Sequence, residues 1–427
     1  SGCLGDHIIE YMTDVEGHWE YFVDFVTRSK ILDWDGDTQG VWGPGHLTLK
    51  KNGVFVFGGD APDKGPGDIR VIKLLVNLKR RHPKRVYILL GNRDLMKMRF
   101  MSELTESEES LTNPWLPPWD ARVKPFDAYL AETKMPRNRL SKLKWLLQCT
   151  MGCQDTTFGT RKDEIALLKG SASDDDVIRS YVNSVDPAHH DPWMLAFLRV
   201  GQIGVIIDDS LFVHGGLTED SIGYVPGKEE RIDDVHQWIE ELNAWKDREL
   251  ECFEAGPYFC TDEEGQVTRG GNDLILYGTP LFDGRTVIYH NPFDNGNPVQ
   301  RTLAVRDFLA RGGITRLVTG HQPHGQSPTV VRHPSTGLLV VTADTSRSDN
   351  LASKVLNPAN NRGRAISIIR ISGDVLEIEG VLNDGQPHSC KLHTDPKLDE
   401  LPDALVGRQL TSNAWIKTIL RDTGEDE

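Results

Sequence analysis

The sequence predicts an α/β fold with helical insertions, on three observations. Short apolar runs end in polar loops that contain glycine. A segment of helical period separates two of those runs. Two longer stretches break the rhythm. Residues 54–57, Val-Phe-Val-Phe, lead into Gly58-Gly59-Asp60, and residues 86–90, Val-Tyr-Ile-Leu-Leu, lead into Gly91-Asn92. Between them, Ile69, Ile72, Leu75, Val76 and Leu78 recur at helical spacing over residues 68–79. Strand, helix, strand, each strand closing in a polar loop, is the α/β pattern. In open α/β sheets ligands bind beyond the carboxyl ends of strands.

The remaining elements follow in chain order. Residues 7–13 read as a short strand that stops at Asp14. Residues 95–200 are rich in proline, tryptophan and charge, and read as a mostly helical insertion, a cap beside the core. Within it, residues 140–149 have helical spacing. Ser173-Asp174-Asp175-Asp176 reads as a helix N-cap with an acidic first turn. Residues 203–207 and 211–214 flank Asp208-Asp209-Ser210, which is hairpin turn chemistry. A second insertion spans residues 217–272, with a helix over 233–250 whose Trp238 and Trp245 form a buried stripe. Further strands are expected at 286–289, 316–319, 329–331, 338–341 and 366–371. The organisation expected is one domain over residues 1–427, interrupted by the two insertions.

The 427 residues carry a net charge of -15, which disfavours an extended nucleic-acid surface, because phosphate backbones select basic faces. The basic run Lys79, Arg80, Arg81, Lys84 and Arg85 reads as a solvated helix end. Six cysteines without a Cys-x-x-Cys pair do not make a disulfide scaffold. No apolar run reaches the roughly 18 residues of a membrane span. The chain opens on Ser1-Gly2, and the location expected is the cytoplasm or an organelle lumen, with oligomeric state left open.

The chemistry concentrates at the strand ends. Asp14-Val15-Glu16-Gly17 follows the first strand, and Gly59-Asp60-Ala61-Pro62-Asp63-Lys64-Gly65 the next. Gly91-Asn92-Arg93-Asp94, Val213-His214-Gly215-Gly216 and Gly320-His321-Gln322-Pro323-His324-Gly325 close later ones. Each loop offers a carboxylate, an amide oxygen or an imidazole. Taken singly, an Asp-x-Glu is a solvated turn, a histidine after a strand is a structural one, and Asn92 is a turn former. Five such loops in series are better explained by a metal centre.

This series resembles the calcineurin-like metallophosphoesterases, nearest the branch of phosphoprotein phosphatases and symmetrical dinucleoside tetraphosphatases. The resemblance covers residues 7–94, 200–217 and 313–346, and includes Ala343-Asp344-Thr345. It implies two packed mixed β-sheets flanked by helices, a four-layer αββα sandwich. It also implies two divalent ions, Mn²⁺ or Mg²⁺, with Fe, Zn or Co as further candidates. Asp14 and Glu16 would hold the first ion, Asp60 would bridge, and Asn92, His214 and His321 would complete the second. Such a pair supplies an activated water and neutralises charge on the phosphoryl oxygens.

Three positions depart from the family pattern. Glu16 stands where the family has histidine, Lys64 where it has arginine, and Arg93 where it has the histidine thought to protonate the leaving oxygen. Arginine does not give up its proton at any useful pH. Arg93 is therefore expected to act electrostatically, oriented by Asp94, with His324 as the candidate proton donor. Lys64, Arg93 and Arg347 are the candidate phosphate contacts. The function expected is phosphomonoester hydrolysis on a small metabolite or a phosphoprotein. Hydrolysis of a nucleoside polyphosphate is the alternative, and a phosphate-binding protein without turnover is the alternative of another class.

Overall fold

The computed structural model describes residues 7–36, 46–118, 120–121, 123–261, 265–282, 284–290, 293–294, 297–298, 301–323, 327–333, 336–345, 365–382, 385–400, 408–411 and 414–416. His324 and Arg347 lie outside the described residues.

Two mixed sheets form the centre. The first runs in the order Pro387–His393, Val375–Val381, Ile366–Ser372, Ile8–Met12, Gly53–Phe57, Val86–Ile88. The second runs Thr329–Arg332, Leu339–Thr342, Arg316–Thr319, Ser210–Val213, Gly204–Ile207. Each contains a parallel triplet. Ile8–Met12, Gly53–Phe57 and Val86–Ile88 form one, and Ser210–Val213, Arg316–Thr319 and Leu339–Thr342 form the other.

Alternation along the strands builds the layers. Ile9, Tyr11, Val54 and Val56 of the first sheet meet Val205, Phe212, Val318 and Val341 of the second in one apolar layer. Met12, Phe55 and Phe57 face the other way, into a larger core with the helices Trp19–Arg28 and Asp68–Arg81. Leu211, Val213 and Leu317 do the same with Val235–Ala255 and Leu303–Arg311. Successive strand residues point to opposite faces, so a run that is apolar throughout marks a strand covered on both. Gly53–Phe57 is such a run and is buried along its whole length.

Residues 95–200 are mostly helical, and buried charge fixes them to the core. Glu164 of Thr157–Lys169 accepts the Ile69 and Arg70 amides at 3.0 and 3.1 Å, closing the first turn of Asp68–Arg81 from outside. A carboxylate there satisfies otherwise unpaired donors and complements the helix dipole. Arg161, one turn away, donates to Asp68 Oδ2 at 2.6 Å and stacks on Tyr181 at 4.0 Å. Ser173 is the expected N-cap of Asp174–Val185, and Asp176 completes a capping box with it. Asp234 caps Val235–Ala255, in which Trp238 and Trp245 are buried.

Several local expectations are corrected. Residues 286–289 are not a strand. The Val287 carbonyl receives the amides of both Gly215 and Gly216, and Thr286 Oγ1 accepts the Ile288 and Tyr289 amides. Side-chain bonding of this kind competes with a ladder. The helix expected over 140–149 is α-helical only over Arg139–Trp145, then widens into a π-turn over Leu146–Thr150. A hairpin of Leu32–Asp35 with His46–Leu49, and the strands Val375–Val381 and Pro387–His393, were not anticipated. No helix among the described residues is long and apolar enough to cross a membrane.

Candidate metal centre

The two parallel triplets end at one place. Asp14, Asp60 and Asn92 follow the strands of the first, and His214, His321 and Asp344 follow those of the second. The loops turn sharply to bring their side chains inward. Asp14, Glu16, Asp60 and His321 all hold positive φ, at 52°, 49°, 55° and 68°. Such backbone is uncommon away from glycine and clusters at functional sites.

Asp94 anchors the loops. Its carboxylate accepts the amides of Asp60 at 2.9 Å, Ala61 at 3.1 Å and Gly91 at 2.7 Å. Burial and the nearby Asp60 push its carboxyl up to about 7, against the pull of the Gly91 and Ala61 amides. A Cβ on Gly91 would lie 2.1 Å from Asp60 Oδ1, so only glycine admits the close approach. Asp94 was expected to orient Arg93. It is instead committed to backbone amides, and Arg93 is oriented by Glu16 and Asp63. Asp94→Asn is expected to weaken metal binding about 10–100-fold, as loss of supporting hydrogen bonds does. Isothermal titration with Mn²⁺ checks this.

Asp60, His214 and His321 present ligand atoms that all lie within 4.8 Å of one another. His214 Nδ1 is 2.7 Å from the Gly58 carbonyl, which holds the ring with Nε2 toward the site. His214 Nε2 is 3.5 Å from Asp60 Oδ2, close enough for attraction but too long to be a hydrogen bond. Asn92 Oδ1, His214 Nε2 and His321 Nε2 are buried without hydrogen-bond partners. Unsatisfied buried polar atoms are costly, and the two imidazole nitrogens beside the Asp60 carboxylate, in a cavity that Asn92 also lines, fit a divalent cation. Burial, then the charge on His214, pull His321 down to about 3, so its imidazole is neutral as a ligand must be. Burial lowers His214 too, but Asp60 and Asp14 outweigh it and push that ring up to about 10, so an ion binding there must displace its proton. Burial favours the neutral form of Asp60, but His214, Arg93 and His321 outweigh it and hold the carboxyl well below its usual range.

The other implied ligands are arranged differently. Asp14 Oδ2 accepts the Thr13 hydroxyl at 2.6 Å and the His321 amide at 3.0 Å. Burial and then Asp344 push the Asp14 carboxyl well above its ordinary value. Glu16 Oε2 pairs with Lys64 Nζ at 2.7 Å and Oε1 with Arg93 Nε at 2.8 Å. Arg93 Nη1 is 3.6 Å from Asp63 Oδ2, and Lys97 Nζ reaches the same oxygen at 2.6 Å. A cavity of about 520 Å³ opens over the centre. Glu16, Asp60, Lys64, Asn92, Arg93 and His321 line its floor, and Gln148, Thr150 and Met151 form part of its wall.

The calcineurin-like phosphoesterase family pattern matches residues 12–325. The chain belongs to that family. This phosphoesterase is therefore a phosphoric ester hydrolase of a family that uses divalent metals. No curated protein matches it. Among solved structures it is similar to a cold-active protein-tyrosine phosphatase of a psychrophilic Shewanella, at 15% identity and TM-score 0.41, over 90% of this chain and 80% of that one. A protein serine/threonine phosphatase from Saccharomyces cerevisiae shows 14% identity and TM-score 0.39, over 93% and 82%. A metallophosphoesterase from Sphaerobacter thermophilus shows 10% identity and TM-score 0.28, over 86% and 84%.

Two residues of this phosphoesterase's site had no place in the sequence reading. Lys97 lies one helical turn beyond Arg93, and that spacing was the available signal. Tyr289 packs its ring 4.8 Å from that of His321 and lines the cavity. It comes from the segment that was read as a strand, and no local pattern marks it.

Proposed function

We propose that this phosphoesterase hydrolyses a phosphomonoester, on a small metabolite or an extended phosphoprotein segment. Water would be activated at a divalent ion held by Asp60, Asn92, His214 and His321. The two partnerless imidazole nitrogens set within 4.8 Å of an Asp60 oxygen, in a cavity that Asn92 also lines, carry this reading. An ion there lowers the pKa of water and neutralises charge on the phosphoryl oxygens. Two imidazole nitrogens with an amide and a carboxylate oxygen lie between the sets preferred by hard and borderline ions, and Mn²⁺ is the ion assigned, with Mg²⁺ next. The resemblance implies a second ion sharing Asp60, and its occupancy turns on the cations around Glu16.

The chain's own residues supply the rest. The Arg93 side chain lines the cavity, with Nε on Glu16 and Nη1 3.6 Å from Asp63 Oδ2, and brings positive charge to where a phosphoryl group would sit. Lys64 adds positive charge beside it, held by Glu16. We read residues 95–200 as a cap, because Gln148, Thr150 and Met151 wall the cavity. A cavity near 520 Å³ suits a metabolite or an extended side chain better than a folded protein surface.

One observation favours a nucleoside polyphosphate as the second reading. At the position of the family's leaving-group acid stands Arg93, and a phosphate leaving group needs little proton help. Turnover of p-nitrophenyl phosphate, a phosphotyrosine peptide and a dinucleoside tetraphosphate, each with Mn²⁺, separates the readings. Faster cleavage of the monoesters supports the first. Cleavage of the dinucleotide alone supports the second. Mn²⁺ binding with no cleavage of any would contradict both.

A further inference from the structure

The three departures from the family pattern are one cluster in space. Glu16 sits between Lys64 and Arg93, with one carboxylate oxygen on each, at 2.7 and 2.8 Å. Glu16 and Lys64 are buried, each 6% exposed, and Arg93 is partly buried at 14%. The guanidinium also lies 3.7 Å from Asp60 Oδ2 and 3.6 Å from Asp63 Oδ2. A positive charge fixed by the chain therefore occupies the space that an ion shared by Glu16 and Asp60 would need.

The backbone keeps Glu16 there. Its carbonyl accepts the amides of Lys64 and Gly65, both at 2.8 Å, and its amide donates to the Asp60 carbonyl at 3.0 Å. Neither Asp14 nor Glu16 belongs to the group of close-set ligand atoms around Asp60. The partnerless ligand atoms are all on the other side, at Asn92, His214 and His321. One half of the centre is thus short of a cation, and the other half already has one.

We propose that the chain holds a single divalent ion, at Asp60, Asn92, His214 and His321, and that Arg93 with Lys64 takes the place of a second beside Glu16. The inference rests on the metal-dependent reading above and deepens it. A guanidinium is always charged, presents several donors in a fixed plane, and is not lost to chelators. It would bring positive charge to the phosphoryl group whatever the supply of free metal.

Counting the ions tests the proposal. The full chain, stripped and then reloaded with excess Mn²⁺ and dialysed, is expected to retain one Mn per chain by elemental analysis. Its electron paramagnetic resonance spectrum is expected to be that of an isolated ion. Glu16→Gln is expected to leave the count at one. Two Mn per chain with an exchange-coupled spectrum would overturn the proposal and leave the metal-dependent hydrolase reading standing. So would loss of an ion on Glu16→Gln in folded protein. No retained Mn would overturn both, and the wild-type count decides even if the variant does not fold.

Discussion

Asp60→Asn is expected to lower phosphoester turnover by more than about 100-fold, since losing a mere supporting contact to a metal ligand already costs about 10–100-fold. Asp60 Oδ1 accepts the Arg93 amide at 2.9 Å, and Oδ2 faces His214 Nε2 at 3.5 Å. Asparagine keeps the shape and removes the charge that ties His214, His321 and Arg93 together. The backbone bonds through Asp94 remain, so the fold is expected to survive. Turnover and Mn content, measured with the circular dichroism spectrum, check this. Wild-type turnover in the variant would remove Asp60 from the chemistry.

The largest stability effect is expected outside the set of metal ligands, at Glu103. Its carboxylate meets Arg99 at 2.8 and 2.7 Å and Arg269 at 2.7 Å, with all three side chains 1% exposed or less. Arg99 also donates to Thr150 Oγ1 at 3.1 Å, and Trp115 covers both guanidinium groups. Glu103→Gln would leave two buried arginines against a neutral group, a loss of about 3–5 kcal/mol. Urea unfolding at neutral pH measures it, and an unchanged midpoint would refute the account of this cluster. Burial pushes the Glu103 carboxyl up, but Arg99 and Arg269 outweigh it, and the net shift is downward. A carboxyl lowered on folding adds stability above its unfolded value and loses it as pH falls through the folded one. The wild type is therefore expected to weaken in acid more steeply than the variant. Thr150 lines the cavity, so loss of Glu103 is also expected to loosen its wall.

The strand-end loops were legible because each pairs an apolar run with glycine and a ligand type, and both signals are local. Asp60 after Val54–Phe57, and His214 after the Asp208-Asp209 hairpin, stand where the sequence put them. The basic run around Lys79 is a helix end as read, with Arg80, Arg81 and Lys84 exposed, but it is only partly solvated. Lys79 and Arg85 close loop and strand carbonyls at Pro83, Val86, Lys50 and Gly53. What escaped depends on neighbours distant in sequence. Glu164 and Arg161 look like solvated helix charges, yet they dock the helix Thr157–Lys169 on Asp68–Arg81. The sequence marked Glu16, Lys64 and Arg93 as three separate departures, but no spacing shows that they touch. Val375–Val381 did carry a period-two signal, with buried Leu376, Ile378 and Gly380 alternating with more exposed residues.

The central claim is that the ion at Asp60, Asn92, His214 and His321 makes the reaction possible. Metal-stripped protein should be titrated with Mn²⁺ while p-nitrophenyl phosphate turnover and bound Mn are followed together, for the wild type and for His321→Ala. The account predicts no turnover in the stripped protein and activity rising in step with bound metal. It predicts neither metal nor turnover in the variant. Turnover in stripped wild-type protein, or full activity in a His321→Ala protein that binds no metal, would contradict it.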